Sequence, residues 1–325
     1  MILAGDIGGT KTNLAWFTRD GERLTLVKHA SYPSRDFATL EDVLGVFLRE
    51  HPAKPEAAGF GIAGPVVNGR SRLTNLGWEV DSRPVAAMVG LPAVSLINDL
   101  GATAYGVLHL DAKDRLLLKQ GAAQPGGAIA VIAAGTGLGE GGLVWDGKRY
   151  VAIPSEGGHT DFGPRDEVEM DLLRNLTAKF GRVSYERIAC GPGLVNVYEF
   201  FRSRSRDPEP AWLAKERADG DPSAAIAKAA LENADPEAVR ALDLFVSVYG
   251  AEAGNLALKI LATGGVYVGG GIAPKILKKI QEGEFVRSFV MKGRYEGLMR
   301  SMPVHVVLND RIALYGAAHH ALMQW

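Results

Sequence analysis

A single cysteine, Cys190, is present among the 325 residues. This excludes a disulfide framework within the chain and any zinc site built from several of its cysteines. An excess of charge of one sign is also missing, since 36 Lys and Arg residues stand against 37 Asp and Glu residues. That balance removes the broad electrostatic attraction on which nucleic-acid-binding and anionic-membrane-binding proteins rely.

Long hydrophobic runs are missing as well. The most apolar run, residues 128–134, is far shorter than the roughly 20 residues that span a bilayer. The N-terminus lacks a basic segment followed by an apolar one, and an acid already stands at Asp6. We therefore expect a cytoplasmic protein that has neither a membrane nor a nucleic acid as its partner.

Glycine is abundant, with 40 residues, and stands where apolar runs end. Strands predicted at 2–4, 13–17 and 24–32 surround a first glycine-rich turn, and a second such unit begins with a strand at 128–134. This order of strand, Gly/Thr turn and strand indicates an internal repeat. Further strands are predicted at 57–63, 93–97, 265–268 and 303–308, and helices at 37–48, 101–108, 165–180, 194–202, 222–232, 236–262 and 312–323.

Strands that alternate with helices predict an α/β fold. The length favours about two domains, at roughly 100–200 residues each. We place a small α/β domain at 1–110 plus 301–325 and a large α/β domain at 111–300. Residues 203–222, rich in charge and proline, are interpreted as an exposed loop or insertion.

Two familiar phosphate motifs fail on their context. Residues 137–142 match the dinucleotide pattern G-x-G-x-x-G, but the following residues 143–145 predict a strand instead of the required helix. Residues 142–148 match G-x-x-x-x-G-K, but Arg149 stands where a P-loop needs Ser or Thr for magnesium. Neither a Rossmann site nor a P-loop is expected.

The turn after the first strand is a better phosphate-binding candidate. Glycines let backbone N–H groups approach a phosphate closely, and the neighbouring side chains offer hydroxyls and a positive charge. The acid that ends the strand could hold Mg²⁺ through water. The other interpretation is a tight hairpin with an exposed acid. The residues concerned are Asp6, Gly8, Gly9, Thr10, Lys11 and Thr12.

Two further glycine turns follow buried strands. The turn Gly135, Thr136 and Gly137 could face the first turn, so that the two would hold a polyphosphate from both sides. The run Gly269, Gly270 and Gly271 precedes a helix predicted from Pro274 and would let an adenine ring lie against the backbone. A tight strand-to-helix turn is the alternative for this last run.

These three turns resemble the phosphate-1, phosphate-2 and adenosine motifs of the actin/hexokinase/heat-shock-protein ATPase superfamily. Within it, Leu-Ile-Asn-Asp at 96–99, Ser-Glu-Gly-Gly-His-Thr-Asp-Phe at 155–162 and Tyr-Glu-Arg-Ile at 185–188 are similar to the bacterial glucokinase family. The related ROK sugar kinases carry a cysteine-rich zinc motif. Because Cys190 stands alone, the chain resembles the zinc-free branch.

The resemblance implies a two-domain actin-like ATPase (ribonuclease H-like) fold with a ligand cleft between the domains. It implies ATP-dependent phosphorylation of D-glucose at the 6-hydroxyl, with ATP and Mg²⁺ but no zinc. It further implies glucose and ATP as ligands and a homodimer. The alternatives are a kinase for another hexose, a non-catalytic sugar-responsive regulator and an actin-like filament protein.

Phosphorylation of a sugar hydroxyl requires a base near that hydroxyl and partners for the other hydroxyls. Asp99 ends a predicted strand and is assigned as the general base, with a helix N-cap as its alternative role. Hydrogen bonds to the sugar are assigned to Asn98, Asp99, Glu156, His159 and Glu186.

Each remaining candidate has a plainer interpretation. Glu156 and His159 could bind a metal together with Asp161, although their spacing does not favour it. Glu186 by itself would be interpreted as a surface acid. Cys190 is interpreted as a small buried hydrophobe and not as a nucleophile, and the His319–His320 pair as a surface feature.

Overall fold

The computed structural model describes residues 1–73 and 76–323. The strands are β1 Ile2–Ile7, β2 Lys11–Asp20, β3 Arg23–Pro33, β4 Ala57–Ile62, β5 Val66–Val67, β6 Arg70–Leu73, β7 Trp78–Asp81, β8 Ser95–Asn98, β9 Arg115–Lys119, β10 Ile129–Ala134, β11 Leu138–Trp145, β12 Tyr150–Ile153, β13 Gly265–Gly269 and β14 Val304–Val307. The α-helices are α1 Leu40–Glu50, α2 Ser82–Val89, α3 Asp99–Gly106, α4 Glu167–Phe180, α5 Gly191–Arg202, α6 Ala211–Asp219, α7 Pro222–Leu231, α8 Pro236–Lys259, α9 Leu277–Gln281, α10 Glu284–Val290, α11 Glu296–Ser301 and α12 Ile312–Leu322. No helix in this part of the chain combines the length and apolarity needed to cross a membrane.

The strands form two main sheets and a small one. The first has the order β3-β2-β1-β4-β8, antiparallel from β3 to β1 and parallel from β1 to β8. The second has the order β12-β11-β10-β13-β14-β9, with β10, β13 and β14 parallel. The third is β5-β6-β7. Mixed sheets and helices confirm the predicted α/β class, and the strand, Gly/Thr turn and strand order occurs twice.

By its internal contacts, the chain divides into two compact units. The first comprises Met1–Arg115, Gly141–Pro154 and Asn309–Trp325. The second comprises Leu116–Glu140 and Ser155–Leu308. The domain limits given by the sequence, 1–110 plus 301–325 and 111–300, stay a prediction.

In the first unit, the packing of α3 against α12 fixes the end of β8. Gly316 of α12 lies so close to the Ala102 carbonyl of α3 that a side chain at this position would collide with it. Ala102 and Ala317 are fully buried in the same contact region. Small residues therefore bring the two helices together, and α3 begins at a fixed place directly after β8.

In the second unit, α8 is the central helix of the core. Asp235 accepts a hydrogen bond from the Ala238 N–H at 2.8 Å, and Pro236 opens the first turn, so the start of the helix is well defined. Tyr249 of α8 is fully buried, and its hydroxyl oxygen accepts from the Ala134 N–H and donates to the Gly269 carbonyl. One side chain thus ties together the ends of β10 and β13.

Three local predictions were wrong or incomplete. Residues 203–222 contain helix α6, which the fully buried Leu213 anchors to the core, so the segment is not a loop throughout. The helix expected from Pro274 begins at Leu277. The small sheet β5-β6-β7 went unpredicted because its strands are too short to show a clear alternation.

Candidate active site

The first glycine turn connects β1 to β2. The Gly8 N–H donates to the Lys11 carbonyl at 3.1 Å, while the side chains of Thr10 and Lys11 are exposed. Thr12, by contrast, is fully buried and its hydroxyl lies 3.0 Å from that of Ser34. Ser34 in turn donates to the Gly8 carbonyl at 2.7 Å. The Thr12 hydroxyl therefore supports the turn from beneath, in place of the phosphate contact predicted for it.

Asp6 stands at the end of β1 beside this turn. Asn13 donates to its carboxylate at 3.1 Å. Burial raises the pKa of Asp6 above its ordinary value, against smaller opposing effects of the Asn13 hydrogen bond and the Lys11 charge. The exposed acid of the alternative interpretation is therefore not what the structure contains. A partly buried carboxylate with one donor suits a hydrated divalent cation, whose charge would favour its ionised form.

Asn98 and Asp99 lie where β8 passes into α3. The N-cap is Asn98 and not Asp99: its side-chain oxygen accepts from the N–H groups of Leu100 and Gly101. The Asn98 amide nitrogen donates to the Gly64 carbonyl at 3.1 Å, which leaves one of its two N–H groups for a ligand. The Leu100 N–H also donates to Asp99 Oδ1 at 2.8 Å, so the Asp99 carboxylate is held at the first turn of the helix.

In the second unit, the turn of Gly135, Thr136 and Gly137 follows β10. The Gly135 N–H donates to the Gly137 carbonyl, and the Gly191 N–H of α5 donates to the Gly135 carbonyl at 2.8 Å. Open space lies where a side chain of Gly135 would stand. The turn is therefore pinned to the start of a helix and still leaves room for a ligand against its backbone.

A cavity of about 640 Å³ begins at this turn. Two of the predicted ligand turns contribute to its wall, together with the first turns of α5 and α7. Helix N-termini favour phosphate through their unpaired N–H groups. The lining residues are Gly135, Thr136, Lys179, Gly191, Pro192, Leu194, Val195, Asn196, Glu199, Asp221, Pro222, Ser223, Ala224, Ala227, Gly271, Ile272, Lys275 and Ile276.

Most of this cavity was missed by sequence reasoning. Of the predicted adenosine run, Gly271 lines it, while Gly269 ends β13 and Gly270 follows directly. Ser223 and Lys275 were not singled out. Asp221–Pro222 carries a helix-start signal, and the side chain of Asp221 caps α7. That signal predicts the helix α7. The position of α7 beside the turn that follows β10, however, depends on tertiary packing.

The segment from Glu156 to His159 lies directly on β11. Gly157 approaches the side chain of Glu140, and Gly158 approaches the Leu138 carbonyl, so closely that a side chain at either glycine would collide. The two glycines let the backbone pass at contact distance and turn as a short 3₁₀ helix. Glu156 and His159 stand at its two ends and are exposed, as side chains that bind a ligand must be.

Glu186 joins this segment to the phosphate-binding candidate turn. One of its carboxylate oxygens accepts from the Leu138 N–H at 3.0 Å, directly after Gly137. The other lies 3.7 Å from His159 Nδ1. The Glu186 side chain is 28% exposed, so the surface-acid interpretation was wrong. The exposed part of the Glu186 carboxylate can accept a hydrogen bond from a hydroxyl group.

Backbone pairing explains how residues remote in sequence meet here. The Phe162 N–H donates to the Val183 carbonyl, and the Tyr185 N–H donates to the Thr160 carbonyl. Arg182, which sequence reasoning missed, pairs with Asp161 at 2.7 Å and donates to the His159 carbonyl at 2.8 Å. Asp161 therefore has a local structural role. No group of three His, Cys, Asp or Glu residues suited to a metal ion occurs within residues 1–73 and 76–323.

The two remaining candidates, Cys190 and the His319–His320 pair, form hydrogen bonds within the fold. Cys190 is buried, as expected, and its thiol donates to the Glu186 carbonyl at 2.9 Å. Burial raises the pKa of this thiol to about 11, which makes it a poor nucleophile. His319 is 2.8 Å from His109, and His320 is 3.0 Å from Ser95. The surface interpretation of the histidine pair was therefore wrong.

Comparisons with known proteins find similar sequences and structures over nearly the whole chain. A family model described as Glucokinase matches residues 3–324. A protein named glucokinase from Nostoc sp. strain PCC 7120 is 46% identical over 98% of this chain and 98% of its own. A crystal structure of glucokinase from an Antarctic psychrotroph has a TM-score of 0.87 and 30% identity, covering 99% of this chain and 98% of that chain. A ROK family glucokinase from Streptomyces griseus, solved with glucose and AMPPNP, has a TM-score of 0.67 and 23% identity, with 99% of each chain covered.

Proposed function

The chain belongs to the glucokinase family, and from that premise we propose which of its residues carry out ATP-dependent phosphorylation of glucose. The family has the two-domain actin-like ATPase fold that the sequence motifs predict. The observation that supports the assignment is the pair of contacts that the Glu186 carboxylate makes. One carboxylate stands beside His159 and also accepts the N–H that follows the turn of Gly135, Thr136 and Gly137.

Glucose is held, in this proposal, by Glu156, His159 and Glu186 together with Asn98. Carboxylates accept hydrogen bonds from sugar hydroxyls, imidazole can donate or accept, and Asn98 keeps one amide N–H for this purpose. The exposure of Glu156 and His159 and the partial exposure of Glu186 support this role. Asp161 is left out because Arg182 engages it.

Asp99 is proposed as the general base that accepts the proton of the glucose 6-hydroxyl. Its carboxylate is held by the Leu100 N–H at the start of α3, and Asn98 has taken over the capping of that helix. Asp99 is therefore not needed as a cap. Proton removal allows the hydroxyl oxygen to attack the γ-phosphorus of ATP, and ADP leaves with the bridging oxygen.

ATP is proposed to be bound by the two Gly/Thr turns and the cavity of the second unit. In the first turn, Gly9 and Thr10 offer backbone N–H groups, Thr10 a hydroxyl and Lys11 a positive charge, while Gly8 donates its own N–H within the turn. In the second turn, Thr136 and Gly137 offer backbone N–H groups and Thr136 a hydroxyl. Gly271 and the apolar residues Leu194, Val195 and Ile272 give the cavity a surface against which a purine can lie. Bound Mg²⁺, which neutralises charge on the transferred phosphate, would be held by Asp6 through water.

Three finer points complete the proposal. Zinc is not required, since Cys190 alone cannot build the cysteine-rich motif of the ROK kinases. Use of ATP fits a cytoplasmic location. Resemblance to the family favours a homodimer, which sedimentation of the purified protein at several concentrations tests directly.

The variant Asp99→Asn tests the base. We expect kcat for glucose to fall by about 100-fold or more, the usual contribution of a general base. Calorimetry should find glucose binding within a few fold of wild type, because the amide keeps the shape of the side chain. Asp20→Asn, an exposed acid at the end of β2, is the control and should leave kcat unchanged. Turnover near wild type with intact glucose binding would remove Asp99 from this role.

A further inference from the structure

Glu140 on β11 is a buried carboxyl group that the reaction described above does not use. It is 1% exposed, and neither of its oxygens has a hydrogen-bond donor among the described residues. An ionised carboxylate without donors in such a place is strongly unfavourable. The side chain therefore either carries a proton or destabilises its surroundings.

The neighbouring acid on α8, Glu252, is the group to which that proton can form a hydrogen bond. Glu252 is fully buried, accepts from Asn255 Nδ2 at 2.7 Å and pairs with Lys259 Nζ at 3.0 Å, so it is satisfied as a carboxylate. Lys259 forms its ion pair with Glu252, and no cation among the described residues is paired with Glu140. A protonated Glu140 can donate to the neighbouring Glu252, and in that state both acids have a partner.

The same carboxyl group is in contact with the segment that carries the sugar-binding candidates. Gly157 packs on the Glu140 side chain, and an added Cβ there would also stand only 3.0 Å from Glu140 Cδ. Glu156 and His159 flank this contact within two residues. The position of Glu140 therefore sets the height of the Glu156–His159 segment above β11.

We propose that Glu140 is a positioning residue for glucose, whose neutral carboxylic acid bonds to Glu252 and supports the Glu156–His159 segment from below. This rests on the sugar-binding role proposed above for Glu156 and His159. Loss of the proton places two carboxylates side by side beneath Gly157. Their repulsion displaces the segment, so glucose binding weakens while Asp99 and the nucleotide cavity are untouched.

The pKa shifts in the cluster follow from this geometry. Burial, and then the Glu252 charge, raise the pKa of Glu140 to about 8, against the lowering effect of Lys259. Tyr249 also faces Glu140, and Tyr185, whose pKa burial raises to about 12, faces Glu252. Lys292 faces Glu252 as well. Burial lowers its pKa to about 8, so it titrates over the same range and has to be distinguished experimentally.

Steady-state kinetics from pH 6.5 to 9.5 test the proposal, with wild type compared with Glu140→Gln. In wild type, KM for glucose should rise about tenfold per pH unit above 8, since one proton is lost from the binding-competent form. KM for ATP should stay flat over the same range. Glu140→Gln keeps a neutral side chain of the same size, so its KM for glucose should stay flat too. An equal rise in Glu140→Gln assigns the effect to Lys292 and overturns the proposal, as does a flat wild-type profile.

A binding measurement covers the case in which Glu140→Gln does not fold. Calorimetric titration of wild type with glucose at pH 8.5, in two buffers of different ionisation enthalpy, should reveal net proton uptake on binding. No uptake would contradict the proposal. These outcomes differ from failure of the proposed function, which is absence of glucose phosphorylation at every pH.

Discussion

At the scale of single residues, the first phosphate turn contains two threonines with opposite environments. Thr10 is exposed, whereas Thr12 is fully buried and bonded to Ser34. Both threonines are close to the turn in the sequence, which by itself would place both hydroxyl groups near a bound phosphate. Strand alternation then turns the Thr12 side chain to the inner face of β2. Only Thr10 can offer its hydroxyl to a phosphate.

Replacement of each threonine by valine should separate these roles. Thr12→Val removes a buried hydroxyl that pairs with Ser34, so the free energy of unfolding should fall by about 1–3 kcal/mol. Thr10→Val should leave stability unchanged and raise KM for ATP. Urea denaturation and steady-state kinetics of both variants check this. Equal stability losses in the two variants would contradict the assignment.

Asn98 is the residue for which the predicted and observed roles overlap. The sequence places it beside Asp99 as a sugar ligand, and the structure also gives it the capping of α3. Two acceptor contacts and one donor contact use most of its hydrogen-bonding capacity. Its main service to the reaction is therefore to fix the start of the helix on which Asp99 stands.

Asn98→Ala should lower the free energy of unfolding by about 1 kcal/mol through loss of the cap, and kcat should fall because Asp99 loses its fixed position. Asn98→Asp keeps a capping oxygen and should recover most of the stability. Thermal denaturation and kcat of both variants measure the effect. Full stability in Asn98→Ala would show that α3 does not depend on this cap.

At the scale of elements, the Glu156–His159 segment is determined by its two glycines. The sequence singles out this segment by resemblance, but the reason for Gly158 becomes visible only where it packs on the Leu138 carbonyl of β11. Glycine in a polar turn is compatible with many conformations. The sequence therefore predicts the turn, its ligands and part of β11, but not the packing of the turn on that strand.

Gly158→Ala should be destabilised by about 1–3 kcal/mol, because the added methyl group collides with backbone that cannot move aside. KM for glucose should rise in the same variant, since Glu156 and His159 move with the segment. Gly297→Ala on α11, where open space surrounds the position, is the matched control. It should be neutral or stabilising, as alanine favours a helix. A neutral Gly158→Ala would contradict the packing described.

Most of the longer helices and the central strands could be predicted, but α2, α10, α11, β9 and β12 were not. Regular apolar spacing predicted α4, α5, α7, α8 and α12 within a few residues. The cavity of the second unit could not be predicted, because Lys179, Ser223 and Lys275 come from separate elements. Nothing in their local sequence marks them. Their approach is a consequence of packing around α8.

At the scale of the whole molecule, acid stability depends on a histidine cluster of the first unit. His319 and His320 stack on Tyr105, and His109 bonds to His319. Burial lowers the pKa of both His319 and His320 to about 4, and that of His109 below its ordinary value. These rings are therefore neutral in the folded protein under conditions where they are charged in the unfolded chain.

The free energy of unfolding should decrease as the pH falls. Below pH 6.5 the unfolded chain binds more protons than the folded protein, so stability is present above that pH and falls as the pH drops toward 4. His319 and His320 each contribute a slope of about 1.4 kcal/mol per pH unit within this range. Urea denaturation at pH 7, 6 and 5 should find a smaller slope in His319→Gln than in wild type. An unchanged slope in His319→Gln would refute this account.

The chain as a whole is a glucose kinase in this account, and product analysis tests that most directly. Purified protein with ATP, Mg²⁺ and an equimolar mixture of glucose, mannose and glucosamine is followed by phosphorus and proton nuclear magnetic resonance. We predict that glucose 6-phosphate accumulates first, with one ADP formed per sugar phosphate. Preferential consumption of mannose or glucosamine, phosphate on another hydroxyl, or ADP release without any sugar phosphate would contradict the account.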